Sequence, residues 1–182
     1  MWLLIFIGLS APVSAVPTLS GSPVVLTHGI DSSAGNLASF IITTEHATYY
    51  LEKSGGGLSS MLDSDGKDWI GFNNRKGSGW QGEYRGFPNA IHQQDGNYFH
   101  AMNSKTDPSN GTVTKQTPAH VQIEFVSENS NWIGVWDFYA THCNFTMRQV
   151  SPNYVYWIQY EGVAAGTMDD TDYWLSSADA EP

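Results

Sequence analysis

The chain has 182 residues, enough for one folded domain with a buried core. Its formal net charge is −10 at pH 7, because 18 acidic residues outnumber 8 basic ones. This charge disfavours nucleic acids and anionic membranes as partners, and it favours a neutral ligand. Cys143 is the single cysteine, which excludes an intramolecular disulfide, so packing has to stabilise the fold.

The first fifteen residues, MWLLIFIGLSAPVSA, are typical of a secretory signal peptide. A short apolar run ends in Val13-Ser14-Ala15, which fits the small residues that signal peptidase requires. The run is shorter than the roughly 20 apolar residues needed to span a bilayer. We therefore expect a secreted protein, extracellular or periplasmic, in which residues 16–182 form a single domain that makes no contact with a membrane.

Short runs of β-branched and aromatic residues, separated by Gly, Pro, Asn and Asp, follow the signal peptide. The alternation is clearest where Val121, Ile123 and Phe125 share one face of a strand. With no amphipathic helix in the pattern, the sequence predicts an all-β fold, an antiparallel β-sandwich. The predicted strands are residues 38–44, 48–53, 58–62, 68–72, 120–127, 132–139, 143–150 and 154–161, with hairpin turns at residues 65–66, 128–131 and 151–153.

Residues 73–117 contain few strand-like runs, and this pattern predicts a long functional loop region. Its rings have two interpretations, since they could stack on sugars in solvent or cover the open end of the core. These loop rings are Trp80, Tyr84, Tyr98 and Phe99. By contrast, the rings in predicted strands are expected to pack in the core: Trp69, Trp132, Trp136 and Trp157.

The polar residues of the loop region suit sugar chemistry. In β-elimination from a uronic-acid polymer, Arg neutralises the carboxylate while Tyr or His exchanges the protons. The candidate catalytic residues are Arg85, His92, Tyr98 and His100. The candidate substrate-binding residues are Trp80, Glu83, Tyr84, Asn89, His142 and Glu161. The same residue types are also found on sugar-binding surfaces without catalysis.

Two further sets of carboxylates have functional interpretations. Glu83, Asp137 and Glu161 could supply the pair that glycoside hydrolysis needs, although each also fits an ordinary salt-bridge partner. Around Gly66, the carboxylates of Asp63, Asp65 and Asp68 resemble a fragment of a calcium loop. A tight Asp-Gly hairpin explains the same residues without a cation. The prediction is that no cofactor or metal is needed, with calcium at these three residues as the alternative.

Residues 55–74, GGGLSSMLDSDGKDWIGFNN, resemble the opening hairpin of galactose-mutarotase-like β-supersandwich domains. The following GEYRGFPNAIHQQDGNYF is similar to a GR-x-x-N-R-I-x-x-G-x-F stretch of that family, although the second arginine is absent here. This resemblance, over residues 55–100, implies a supersandwich whose concave face holds a saccharide, as in epimerases, polysaccharide lyases and glycoside hydrolases. Because such domains usually exceed this length, we expect either an incomplete domain or a shorter relative.

Export, acidic charge and abundant aromatic residues, 13% of the chain, point to one class of partner. The sequence predicts a secreted domain that binds or processes a poly- or oligosaccharide. The alternative is a non-catalytic structural or adhesive extracellular module.

Overall fold

A computed structural model describes residues 22–71, 86–91, 94–101, 107–160, 163 and 170. The predicted signal peptide lies outside them. The described residues form eight strands: β1 (Val25–Asp31), β2 (Leu37–Thr43), β3 (Ala47–Glu52), β4 (Leu58–Asp63), β5 (Ser109–Thr117), β6 (His120–Ser127), β7 (Ile133–Phe138) and β8 (Cys143–Gln149).

The strands form two antiparallel sheets in which each strand pairs with its neighbours along the chain. The sheet orders are β1-β2-β3-β4 and β5-β6-β7-β8. No helix occurs in the described ranges, so the predicted all-β, sandwich-type fold is confirmed. None of the described residues belongs to a helix that could span a membrane.

Aromatic side chains join the two sheets in the core. Phe40 of β2 meets the edge of Phe125 of β6 with ring centroids 6.2 Å apart, and Tyr49 lies 5.2 Å from Phe138. Gly56 has a φ of +84°, and a Cβ on it would lie 2.8 Å from the Phe125 ring. Only glycine therefore allows the β3–β4 connection to approach the second sheet this closely.

Strands β1 and β5 are missing from the sequence prediction. β5 lies within residues 73–117, so the prediction of a loop there was wrong for Ser109–Thr117. Both are edge strands, pairing only with β2 and β6 respectively. Because β4 and β8 are edge strands too and were predicted, edge position alone does not explain the difference. In β5 the threonines favour a strand, but Asn, Gly, Lys and Gln interrupt them and Val113 is the single apolar residue, so no apolar alternation marks the strand.

Two predicted strands are not strands of either sheet. Within residues 68–72, only one isolated bridge forms, between Leu62 and Asp68. Residues 154–160 run alongside residues 88–90 instead of pairing with β8, and residues 72 and 161 lie outside the described ranges. The turn at 151–153 exists, since the Tyr154 amide donates to Ser151 O at 3.1 Å, but the predicted hairpin there is wrong.

The other two predicted turns are confirmed. Residues 128–131 connect β6 to β7 with Ser130 at a φ of +60°. Gly66, at a φ of +78°, donates its amide to Asp63 O at 3.0 Å in the Asp-Gly turn.

Candidate functional site

Of the ten candidate site residues, six lie outside the described ranges: Trp80, Glu83, Tyr84, Arg85, His92 and Glu161. The structure describes the remaining four: Asn89, Tyr98, His100 and His142.

The loop rings Tyr98 and Phe99 are buried, with 4% and 0% of their surface exposed. Phe99 packs 5.9 Å from Phe145. Burial raises the pKa of the Tyr98 phenol. Of the two interpretations of these rings, packing is the one the structure shows, and Tyr98 does not present its ring to solvent for a sugar.

Asp95 explains why these rings face inward. Its Oδ2 atom accepts hydrogen bonds from Asn131 Nδ2 at 2.9 Å and from the Trp132 indole at 3.1 Å. Asn129 Nδ2 donates to the Asp95 backbone carbonyl at 3.1 Å. The Asn131 bond, foremost among several, lowers the pKa of Asp95. The loop is thereby fixed to the β6–β7 hairpin.

Asn89 and His100 also contribute to the interior. Asn89 is 4% exposed at a φ of +49°, and its Oδ1 atom has no hydrogen-bond partner among the described residues. His100 Nε2 lies 2.8 Å from Ile91 O. His142, by contrast, is exposed in the turn between β7 and β8, where its contacts are with Tyr139 and Thr141.

A polar network crosses the outer face of the second sheet near His142. Asp137 Oδ1 lies 2.6 Å from His120 Nε2 and accepts a bond from Gln122 Nε2 at 2.7 Å. Thr114 donates to Gln122 Oε1 at 2.8 Å. The sequence points to Asp137 but not to His120. The length of the predicted turn at 128–131 indicates that His120 lies near Asp137. It sets Gln122 opposite Asp137, and the period of two along a strand puts His120 on the same face as Gln122.

Three rings stack beside this network. The His120 ring lies 4.5 Å from Tyr139 at an interplanar angle of 15°, and His142 lies 4.8 Å from Tyr139 at 24°. A carboxylate can hold an imidazole in one tautomer and orientation. The side chains of His120 and Asp137 are only 12% and 17% exposed, however, so they offer a ligand little surface.

The carboxylates of the possible calcium site bind amide groups. Asp63 Oδ1 accepts the amides of Asp65 at 3.0 Å and Lys67 at 2.9 Å, while its Oδ2 accepts the Trp69 indole at 2.8 Å. The Trp69 bond, the largest influence, lowers the pKa of Asp63. Among the described residues, no group of three or more His, Cys, Asp or Glu is arranged to hold a metal. These contacts stabilise the Asp-Gly turn, and calcium binding there stays a prediction.

The thiol of Cys143 is a poor nucleophile. Burial raises its pKa to about 11, so it remains protonated at neutral pH. Burial, with a smaller effect of Cys143, raises the pKa of the neighbouring Tyr49 to about 12.

Two tryptophans of predicted strands are exposed, although the sequence predicts that they are buried. Trp132 and Trp136 are 0% and 1% exposed, as expected, but Trp69 and Trp157 are 38% and 42% exposed, so their predicted burial was wrong. Both lie in predicted strands that join neither sheet. Together with three tyrosines they are the exposed rings of residue 69 and residues 154–160, and we call this set the aromatic strip: Trp69, Tyr154, Tyr156, Trp157 and Tyr160.

The aromatic strip is anchored to the core near both ends. Tyr154 meets the edge of the buried Trp132 with ring centroids 6.1 Å apart, and Tyr160 meets Phe87 in the same way at 6.2 Å. The Tyr160 hydroxyl donates to Trp69 O at 2.9 Å, which joins Trp69 to the segment. The rings of Tyr154 and Tyr160 are therefore held in position, and the five rings of the strip keep 38–50% of their surface in solvent.

Comparison with protein-family models, curated proteins and solved structures gives no match. The resemblance to galactose-mutarotase-like domains therefore stays a prediction. Among the described residues, the aromatic strip is the feature that bears on function.

Proposed function

We propose that this protein is a secreted carbohydrate-binding protein that holds a polysaccharide on the aromatic strip. The observation that supports this proposal is the joint exposure of five rings, from 38% for Trp69 to 50% for Tyr160, on an anchored surface. Isolated exposed apolar residues are common on proteins, but several exposed rings concentrated in one short segment favour a binding site.

The chemistry of the strip suits a sugar. A pyranose has apolar faces that pack against aromatic rings and hydroxyl groups that need polar partners at the ring edges. The hydroxyls of Tyr154 and Tyr156 supply such partners beside the rings. Residues 154–160 extend over about 20 Å at roughly 3.3 Å per residue, a length that favours a polymer over a monosaccharide.

The surrounding charges favour a neutral polymer. Residues 154–160 carry no charge, while Asp63 bonds to Trp69 and Asp95 bonds to Trp132 beneath Tyr154. The lowered pKa values of both carboxyls keep them ionised at neutral pH. A polyuronate would meet repulsion from these carboxylates and from the net charge of −10.

Affinity electrophoresis in gels that contain single polysaccharides tests the proposal. We expect retention by at least one neutral polysaccharide and about tenfold weaker binding for Trp157→Ala, equivalent to about 1.4 kcal/mol. Val155→Ala is the matched control, because Val155 lies in the same segment at 69% exposure and has no ring. Equal retention of Trp157→Ala and the wild type would contradict the proposal.

A further inference from the structure

Residues 154–160 use one of their two hydrogen-bonding edges. Every second amide in this segment donates toward the body of the protein. The bonds are Val155 to Gln94 Oε1 at 3.0 Å, Trp157 to Ala90 O at 3.3 Å and Gln159 to Pro88 O at 3.0 Å. From Trp157 to Gln159 the donor advances by two residues, while its acceptor goes back by two, from Ala90 to Pro88. The two segments therefore run antiparallel.

The other edge of the segment is open. In an extended chain successive peptide groups point in opposite directions, so those of Tyr156 and Ile158 point away from residues 88–90. Within the described part of the chain these two residues make no backbone hydrogen bond, and they are 41% and 50% exposed. An exposed apolar edge of this kind is a template for another strand.

The unpaired peptide groups of this edge lie symmetrically about Trp157. YVYWIQY has Trp157 at its centre, with Tyr154 and Tyr160 at equal distances from it. The residues that flank the centre, Tyr156 and Ile158, are the ones with free peptide groups. A strand of this pattern can pair antiparallel with an identical strand about a twofold axis at Trp157.

We propose that the open edge binds a second copy of this chain and forms a twofold-symmetric dimer. Tyr156 would exchange both of its backbone hydrogen bonds with Ile158 of the second copy, and the symmetry repeats this pair on the other side of the axis. Trp157 would face Trp157 of the second copy in a non-hydrogen-bonded position. An isologous contact of this kind closes on itself and stops at two copies.

Charge explains how identical copies can meet at this surface. Each chain carries a net charge of −10, so most surfaces of two copies would repel one another. Residues 154–160 have no charged side chain, so the proposed pairing places no like charges opposite each other. The side chains project above and below the paired strands, so the pairing brings two aromatic strips side by side. The dimer does not depend on glycan binding.

Sedimentation equilibrium of the full chain tests the dimer. We expect a monomer–dimer equilibrium for the wild type and at least tenfold weaker association for Trp157→Glu, which places two carboxylates opposite each other on the axis. Gln159→Glu is the matched control, because residue 159 faces Val155 of the second copy and its effect should be smaller. A wild type that stays monomeric, or a Trp157→Glu variant that dimerises normally, would overturn the proposal.

Disulfide trapping tests the register. Opposite residues at a non-hydrogen-bonded position have Cα atoms about 4.5 Å apart, within the range of a disulfide. Trp157→Cys should therefore form a covalent dimer under mild oxidation, whereas Gln159→Cys and the wild type should not. Efficient cross-linking of Gln159→Cys would place the axis elsewhere. A monomeric chain that instead captures an unrelated extended peptide would assign the edge to a foreign strand and refute the dimer.

Discussion

The rings of residues 98–99 are buried, whereas those of residues 154–160 are exposed, although the sequence leaves both environments open for the first set and predicts burial for Trp157. Tyr98 and Phe99, in an irregular loop, are buried, while Trp157 and Tyr160, in a strand-like run, are exposed. The loop is fixed to the β6–β7 hairpin through Asp95, and the strand-like run lies outside both sheets. Exposure of a ring is thus decided by where its backbone is anchored, not by the local sequence pattern.

The largest expected effect comes from truncating a ring of the buried set. Phe99→Ala removes a side chain with 0% exposure that packs against Phe145, and it should lower the free energy of unfolding by about 3–5 kcal/mol. Urea denaturation measures the loss. A cost below about 1 kcal/mol, typical of surface positions, would show that the loop ring is not part of the core.

A second prediction concerns a buried ring between the sheets. The pKa of Tyr49 is raised to about 12 and that of Cys143 to about 11, while in the unfolded chain they ionise at their ordinary values of 10.0 and 9.0. Burial favours the protonated forms of both groups. Their contribution to the free energy of unfolding is therefore fully present below pH 9 and is lost as the pH rises through the folded-state pKa values. Tyr49→Phe should lose less stability than the wild type between pH 9 and pH 12, measured by urea unfolding across that range. Identical slopes would contradict this linkage.

A third prediction tests the anchor of the loop. The pKa of Asp95 is lowered from its ordinary value of 3.8, so its contribution to stability is present above that pH and is lost as the pH falls through the folded-state pKa. Asp95→Asn should be less stable than the wild type at pH 7, and the difference should shrink in acid. Thermal melts over the acid range give the comparison, with Asp65→Asn as a control at an exposed turn residue. A constant difference at all pH values would exclude a role for the charge.

The smallest expected effect on stability comes from the exposed set. Trp157→Ala should change the free energy of unfolding by no more than about 0.5 kcal/mol, even though it weakens polysaccharide retention. Comparing urea unfolding with affinity electrophoresis on the same preparations separates the two roles. A large loss of stability would mean that Trp157 is a packing residue and would blur the distinction between the two sets of rings.

The central strands could be predicted from sequence, because the alternation of apolar and polar residues shows which face of each strand is buried. Val121, Ile123 and Phe125 alternate because β6 lies between two partners with one face in the core, and the same holds for β2, β3 and β7. The edge strand β1 has His28 and Gly29 in its middle, so the pattern did not mark it.

The site was harder to predict, because its geometry depends on long-range contacts. The partners of Asp95 are Asn131 and Trp132, which lie 36 and 37 positions later in the chain. Trp157 donates to Ala90, far earlier in the chain. No local pattern contains such bonds. The pairing of His120 with Asp137 was accessible in principle, since it follows from the length of one hairpin turn.

The protection of Cys143 has a practical use. Since its pKa of about 11 keeps the thiol protonated, maleimide chemistry near neutral pH should bypass it. A cysteine introduced at the exposed Val155 could then carry a single environment-sensitive dye beside the rings. The native chain is in this respect a ready background for a fluorescent reporter, and ligands could be screened by titration without removing its own thiol.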